Sequence, residues 1–233
     1  MFQRFVKPLR NIVPSVIPSL GDPVLSPLLI KVLQISPPIA CQAVFLAPLS
    51  AMRTFKLNKS TGTTSPLPYT AMVANSYLWT VYGILLQEPT IQAANISGLV
   101  LGIYYTYTFA KYCPKKVPMG YHYTMIGSLC SVATAASLYL PAETAAPIVG
   151  LEACAVVMVM FSGPLTTIKT VLKEKSTASL PFAFTMATIV NCVAWTGYGA
   201  LVINDPLVYI PNSVGLMAGL VQLGLFARFG FHK

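Results

Sequence analysis

Charge is scarce in this chain. Of 233 residues only 9% are Asp, Glu, Lys or Arg, against about 25% in soluble domains, and that excludes a water-soluble globule. Histidine occurs twice, as His122 and His232, and neither has a carboxylate or cysteine at motif spacing. No catalytic residues and no metal-ligand set are therefore expected. A Gly-Lys-Ser/Thr phosphate loop is missing, which removes nucleotide hydrolysis as an energy source. There are six acids and no row of them within an apolar stretch, so a proton or sodium relay has no residues to run on. The five cysteines are odd in number, and Cys130, Cys154 and Cys192 lie in apolar stretches, which gives no disulfide framework. Nothing here requires a cofactor.

What the chain has is apolar length. Hydrophobic residues make up 55% and the mean hydropathy is +0.67. Charge-free windows run over 32–52, 60–87, 89–110, 117–142, 176–204 and 206–227, and a further window, 144–168, is broken only by Glu152. A spanning helix needs about 20 apolar residues. The windows therefore predict an all-α membrane protein with seven transmembrane helices.

The net charge of +9 reads in that setting as cytoplasmic loops, with no nucleic-acid partner. Arg53, Lys56 and Lys59 follow the first span, Lys111, Lys115 and Lys116 the third, and Lys169, Lys173 and Lys175 the fifth; Arg228 and Lys233 close the chain. The intervening connections carry Glu88, Glu143 and Asp205 without Lys or Arg. The positive-inside rule puts the C-terminus in the cytoplasm and the N-terminus outside. Arg4, Lys7, Arg10 and Lys31 run against the rule, in a proline-rich start that reads as a flexible or interfacial extension.

Self-comparison shows a repeat. Asn75-Ser-Tyr-Leu-Trp79-Thr-Val-Tyr82-Gly83-Ile-Leu85 and Asn191-Cys-Val-Ala-Trp195-Thr-Gly-Tyr198-Gly199-Ala-Leu201 share N-x3-W-T-x-Y-G-x-L at an offset of 116. Pro48-Leu49 pairs with Pro164-Leu165, and Lys59-Ser60-Thr61 with Lys175-Ser176-Thr177, at the same offset. Asn95-x2-Gly98-Leu99-x2-Gly102 matches Asn212-x2-Gly215-Leu216-x2-Gly219 at 117. Each unit holds three helices and the fourth span occurs once, a 3+1+3 plan. An odd linker helix lets both units enter the membrane in one orientation, as two parallel three-helix bundles. The expected division is an N-terminal extension at 1–35, a first repeat at 36–112, a linker helix at 113–142, a second repeat at 143–230 and a tail at 231–233.

The repeated residues suggest chemistry. Pro48, Pro68, Pro164 and Pro181 lie near the basic ends of their spans and weaken helices there, as hinges of a cytoplasmic gate. Asn95 and Asn212 sit early in the third span of each unit. An amide offers donors and an acceptor, which suits hydroxyls and does nothing special for ions; the structural alternative is a helix–helix bond beside the glycines. Trp79 lies about 16 Å along its helix from Pro68, at 1.5 Å per residue, beyond mid-helix and away from the basic rim. Trp79 and Trp195 are candidates to stack on a sugar ring, the structural alternative being lipid-facing or packing tryptophans. Tyr82 and Tyr198, a turn further out, are candidates for an extracellular gate, and Asp205 is placed to accept from such a tyrosine. Glu152 is read as a vestibule residue in the outer half of its span.

These motifs resemble the SWEET (MtN3/saliva) family of sugar uniporters over residues 38–230. The most specific segments are Phe45-Leu-Ala-Pro-Leu, Lys59-Ser-Thr-Gly, Leu67-Pro-Tyr, Asn191-x3-Trp195-Thr-x-Tyr198 and Asp205-Pro-x3-Ile210-Pro-Asn212. The resemblance implies a proline tetrad at Pro48, Pro68, Pro164 and Pro181, sugar-binding asparagines at Asn95 and Asn212, and pocket positions at Trp79 and Trp195. It also implies an outer gate pair of Tyr82 and Asp205. One extra residue between Trp195 and Asp205 departs from the family pattern and leaves Asp205 or Asn204 as the tyrosine's partner. A second tryptophan at Trp79, where family pockets often hold a small residue, points to hexose over sucrose.

The expected function is bidirectional, facilitative sugar transport by alternating access. The expected partners are a small sugar such as glucose, membrane lipid and, in a homo-oligomer, other copies of the chain. The location follows as the plasma membrane, with an organellar membrane as the second choice. The alternative is a PQ-loop carrier for amino acids or other small solutes coupled to protons, against which Leu49 and Leu165 stand where glutamines belong. A seven-span receptor does not explain the triple-helix repeat.

Overall fold

The computed structural model describes residues 25–231; the extension before them and the last two residues lie outside the described residues. It is helical, with no strand among the described residues: α1 (Pro27–Leu46), α2 (Leu49–Asn58), α3 (Leu67–Leu86), α4 (Pro89–Tyr112), α5 (Met119–Tyr139), α6 (Ala142–Met160), α7 (Ser162–Glu174), α8 (Phe182–Leu201) and α9 (Pro206–Phe229). The first span is α1 plus α2 and the fifth is α6 plus α7, so seven spans are built from these elements. Both composite spans and α9 satisfy length and hydropathy alone, with mean hydropathies of 1.5, 2.0 and 1.4. α3, α4, α5 and α8 have 20 to 24 residues, long enough to cross, but they carry Thr, Ser, Asn and Gly on packed faces.

Local sequence sets the boundaries. Ser26 caps α1, its Oγ accepting from the Leu29 N–H at 3.3 Å, with Pro27 in the first turn. The first span therefore begins at Pro27 and not near residue 36, and Lys31 belongs to it. The break between α1 and α2 falls at Ala47-Pro48, where proline supplies no N–H for the preceding turn. Its counterpart is at Phe161, with Pro164 in the first turn of α7. Lys59 and Lys175 end α2 and α7 in the left-handed region, φ 53° and 52°. The following threonines are buried and dock on the ends of the third helices: Thr61 N–H donates to Tyr112 O at 3.2 Å and Thr177 Oγ1 to Gly230 O at 2.7 Å.

Six helices close a ring. In each repeat the third helix packs between the first and second, giving the orders α1–α4–α3 and α6–α9–α8. The repeats then meet twice, α3 on α6 and α1 on α8, contacts that exchange under the internal twofold. α5 stays outside the ring, against α3 and α6. It is tied to α3 by Tyr77 Oη with Thr134 Oγ1 at 2.6 Å and by Thr70 Oγ1 with His122 Nδ1 at 3.1 Å.

Glycine permits the closest contacts. A Cβ on Gly98 would lie 2.6 Å from Ser76 Oγ and 2.7 Å from the Phe45 ring. On Gly215 it would lie 2.8 Å from Phe161 and 2.9 Å from Cys192 Sγ. These partners are the same repeat positions, so one packing joint is built twice. Leu28, Ile39, Val100, Leu138, Leu151 and Met217 are among the large apolar side chains left exposed on the outer wall, the surface a bilayer covers.

Candidate functional site

The ring encloses a cavity of about 540 Å³, walled by residues of both repeats and by none of α5. Asn95 and Asn212 both line it. Each amide donates back along its own helix, Asn95 Nδ2 to Ile91 O at 2.9 Å and Asn212 Nδ2 to Val208 O at 2.7 Å. A second N–H and the carbonyl oxygen of each remain for another partner. Trp79 and Trp195 also line the cavity, buried in the second helices α3 and α8. No charged side chain is found in the wall among the described residues.

The two halves differ in one respect. Trp79 Nε1 donates to Asn75 Oδ1 at 3.2 Å, which fixes that indole on its own helix. At the matching position in the second repeat, Asn191 Oδ1 is buried without a hydrogen-bond partner among the described residues. Asn75 and Asn191 both line the cavity. They open the repeated N-x3-W motif, and because residues four apart share a helix face, a pocket position for each Trp already implied one for the Asn a turn before it, a signal that sequence reading missed.

Each indole is covered on the side of the acidic connections by the tyrosine three residues later. Trp79 and Tyr82 meet edge to face at 5.4 Å and 89°, and Trp195 and Tyr198 at 5.9 Å and 77°. Tyr82 Oη donates to Asp205 Oδ2 at 2.6 Å, and Asn204, the other candidate, instead forms the left-handed turn at φ 50°. Tyr198 Oη donates to Glu88 Oε2, also at 2.6 Å. Burial pushes the Asp205 carboxyl above its ordinary range, with the Glu88 charge adding to the rise, against the lowering pull of the Tyr82 hydroxyl and two backbone N–H groups.

Glu88 is the residue that sequence reading missed as a partner. A signal was available, because Gln87-Glu88-Pro89 repeats as Asn204-Asp205-Pro206 at the offset of 117.

At the other end the wall reaches the exposed residues Ser65, Pro68 and Phe184, beside the basic connections. The cavity is closed at its acidic end and open at its basic end. Pro68 reaches the wall, whereas Pro48 lies at the α1–α2 break and Pro181 at the cap of α8; Pro164 falls within α7. Glu152 is not a wall residue; it lies on α6 with Oε2 buried and unpartnered among the described residues.

The profile of a family described as "Sugar efflux transporter for intercellular exchange" matches residues 32–117 and again 147–233, one match per repeat. The chain is 30% identical over 194 residues to the bidirectional sugar transporter SWEET7 of Arabidopsis thaliana, covering 80% of this chain and 75% of the relative. It is 28% identical over 192 residues to the sugar transporter SWEET1 of Danio rerio, covering 80% and 86%. A solved structure of a eukaryotic SWEET transporter superposes with a TM-score of 0.78 at 24% identity, covering 86% of this chain and 96% of that one. That likeness is one of fold.

Proposed function

The chain belongs to the SWEET (MtN3/saliva) family of sugar transporters, and from that premise we propose that it carries a small sugar in both directions without coupling to an ion. The sugar sits between the repeats, hydrogen-bonded by Asn95 and Asn212 and flanked by Trp79 and Trp195. With the basic connections in the cytoplasm, the described state is closed outside and open inside. The repeats rock against one another, with bending at Pro48, Pro68, Pro164 and Pro181. The outer side is closed by Tyr82 on Asp205 and by Tyr198.

The observation that carries this reading is the uncharged wall with paired amides and paired indoles. Hydroxyls are satisfied by amides, and indole faces suit the CH face of a pyranose. A zwitterionic amino acid brings two charges, and burying a charge without a partner costs several kcal/mol; this wall supplies none. Two indoles narrow the cavity, which favours a monosaccharide such as glucose over sucrose. The plasma membrane is the proposed location.

Radiolabelled glucose and sucrose uptake into proteoliposomes without an ion gradient tests the proposal. Glucose should equilibrate, and Asn95→Ala or Asn212→Ala should each weaken binding by about 1–3 kcal/mol, the cost of leaving a buried polar group unpaired. Flux that needs a proton or sodium gradient, or that ignores both substitutions, refutes it.

A further inference from the structure

Glu88 has no role in the transport cycle as described so far, yet its surroundings copy those of Asp205. In both repeats a left-handed residue, Gln87 at φ 57° and Asn204 at φ 50°, precedes the acid. The acid's N–H then returns to the carbonyl of the glycine after the tyrosine, Glu88 to Gly83 and Asp205 to Gly199, each at 2.8 Å. A proline follows and opens the third helix. The same turn thus aims a carboxylate out of each repeat, and each carboxylate meets the tyrosine of the other: Glu88 with Tyr198, Asp205 with Tyr82.

The turns are not identical. Three residues lead from Leu85 to Glu88, and four lead from the matching Leu201 to Asp205. The shorter turn carries the longer acid. Glu exceeds Asp by one methylene, about 1.5 Å of reach, and both carboxylates end 2.6 Å from their tyrosines.

We propose that Glu88 is a positioning residue that, through Tyr198, forms a second latch at the outer closure, so that the gate is held by two crossed bonds. The proposal rests on the reading of the chain as an alternating-access sugar carrier. It requires reach and an acceptor oxygen at position 88 more than it requires charge. Loss of either latch should raise the population of the outward-open state, and loss of both should raise it further.

The test uses the native cysteines Cys41 and Cys192, which line the cavity and lie in its wall at 3% exposure each. Proteoliposomes are treated from the acidic face with a charged, membrane-impermeant methanethiosulfonate, and mass spectrometry follows the two thiols separately from the other three. Glu88→Asp keeps the charge and loses the reach; it should speed modification by about tenfold, the worth of one hydrogen bond on a two-state equilibrium. Tyr198→Phe should do the same, and the two together should do no more. Glu88→Gln keeps reach and acceptor and gives up only the charge that strengthens the bond, so it should speed modification by no more than about fivefold and by less than Glu88→Asp. Tyr82→Phe combined with Glu88→Asp should exceed either alone.

Unchanged modification in Glu88→Asp, or a full additive effect with Tyr198→Phe, overturns the latch. So does a large effect of Glu88→Gln with none of Glu88→Asp, which assigns position 88 a role through charge. Modification from the basic face checks that each variant retains its cavity. This readout needs no sugar, so a chain that shows the expected pattern but moves no sugar keeps the latch and loses the transport reading.

Discussion

Tyr82 Oη and Asp205 Oδ2 stand 2.6 Å apart across 123 residues of sequence, and the bond joins the second helix of one repeat to the cap of the third helix of the other. Asp205 serves twice, since its Oδ1 accepts from the Leu207 N–H at 2.9 Å and starts α9. The residue that ties the two repeats together at the acidic end is therefore the one that caps the helix carrying Asn212. From Asp205 to Asn212, and from Glu88 to Asn95, is seven residues, about 10 Å of helix rise. Each amide thus hangs at the same depth below one of the two acids, so in the proposed cycle opening of the acidic end should move both amides with it.

Outward opening should depend on external pH through Asp205. Burial in the closed state raises its carboxyl above the ordinary value, and opening lowers it again by returning water to it. The closed state thus binds a proton more readily. Acidifying the outer face from neutrality through the raised value should favour closure and slow uptake, with the effect levelling off once the carboxyl is protonated in both states. Uptake at stepped external pH, at fixed internal pH, checks the sign. Asp205→Asn should flatten the profile, and faster native uptake on acidification contradicts the assignment.

Trp79→Ala should widen the range of sugars. The indole is held by Asn75 at 3.2 Å and stands on the cavity wall, so its removal adds volume where a second ring of a disaccharide must go. Sucrose flux is expected to appear, and glucose affinity to fall by about 1–3 kcal/mol with the stacking surface. Competition of unlabelled sucrose against labelled glucose measures both at once. A variant that loses glucose flux and gains no sucrose binding shows that the indole does not set the size limit.

Much of this arrangement was legible in the sequence because it is written twice. Charge-free windows gave the spans, and the offsets of 116 and 117 gave two parallel units and the matched Asn, Trp, Tyr and Pro positions. The pair Tyr82 and Asp205 is expected from the sequence, but its counterpart is not. Glu88 and Tyr198 lie 110 residues apart; the repeat of Gln87-Glu88-Pro89 as Asn204-Asp205-Pro206 matches the two acids, but an acid of different length on a turn one residue shorter hides that it reaches the other tyrosine. The difference between Asn75, bonded to its Trp, and Asn191, with Oδ1 unpartnered, is likewise a property of packing, since the two motifs read alike. Glu152 shows the same limit: hydropathy gives its depth along the span, and packing decides that its Oε2 is buried and unpartnered among the described residues.

The glycine joints should fail together and by similar amounts. A methyl on Gly98 meets Ser76 and Phe45 at 2.6–2.7 Å, and one on Gly215 meets Phe161 and Cys192 at 2.8–2.9 Å. Overpacking of this kind costs about 1–3 kcal/mol, so Gly98→Ala and Gly215→Ala should each lower the melting temperature in detergent. Gly127 on the exposed face of α5 has nothing within 4 Å of a new Cβ. Gly127→Ala should be neutral or stabilise by up to about 1 kcal/mol, the helix-propensity difference. Equal melting of all three variants removes the close-packed joint as the reason for the repeated glycines.

Pro48→Ala should slow transport without weakening the fold. Ala47 and Pro48 already have right-handed helical dihedrals, φ −53° and −69°, so an alanine fits the existing backbone and supplies the N–H that proline lacks. That N–H completes the ladder between α1 and α2 and makes one stiff span from two short helices. Proline in a helix interior costs about 3 kcal/mol, so the straightened span should be at least as stable as the native one. If the break is where the first span bends as the cavity changes sides, turnover should fall while sugar affinity holds, a loss in maximal flux with half-saturation nearly unchanged. Matched loss of affinity points instead to Phe45, three residues before the break and on the cavity wall, as the residue that was disturbed. Unchanged flux assigns the bending to the other repeat or to the connections.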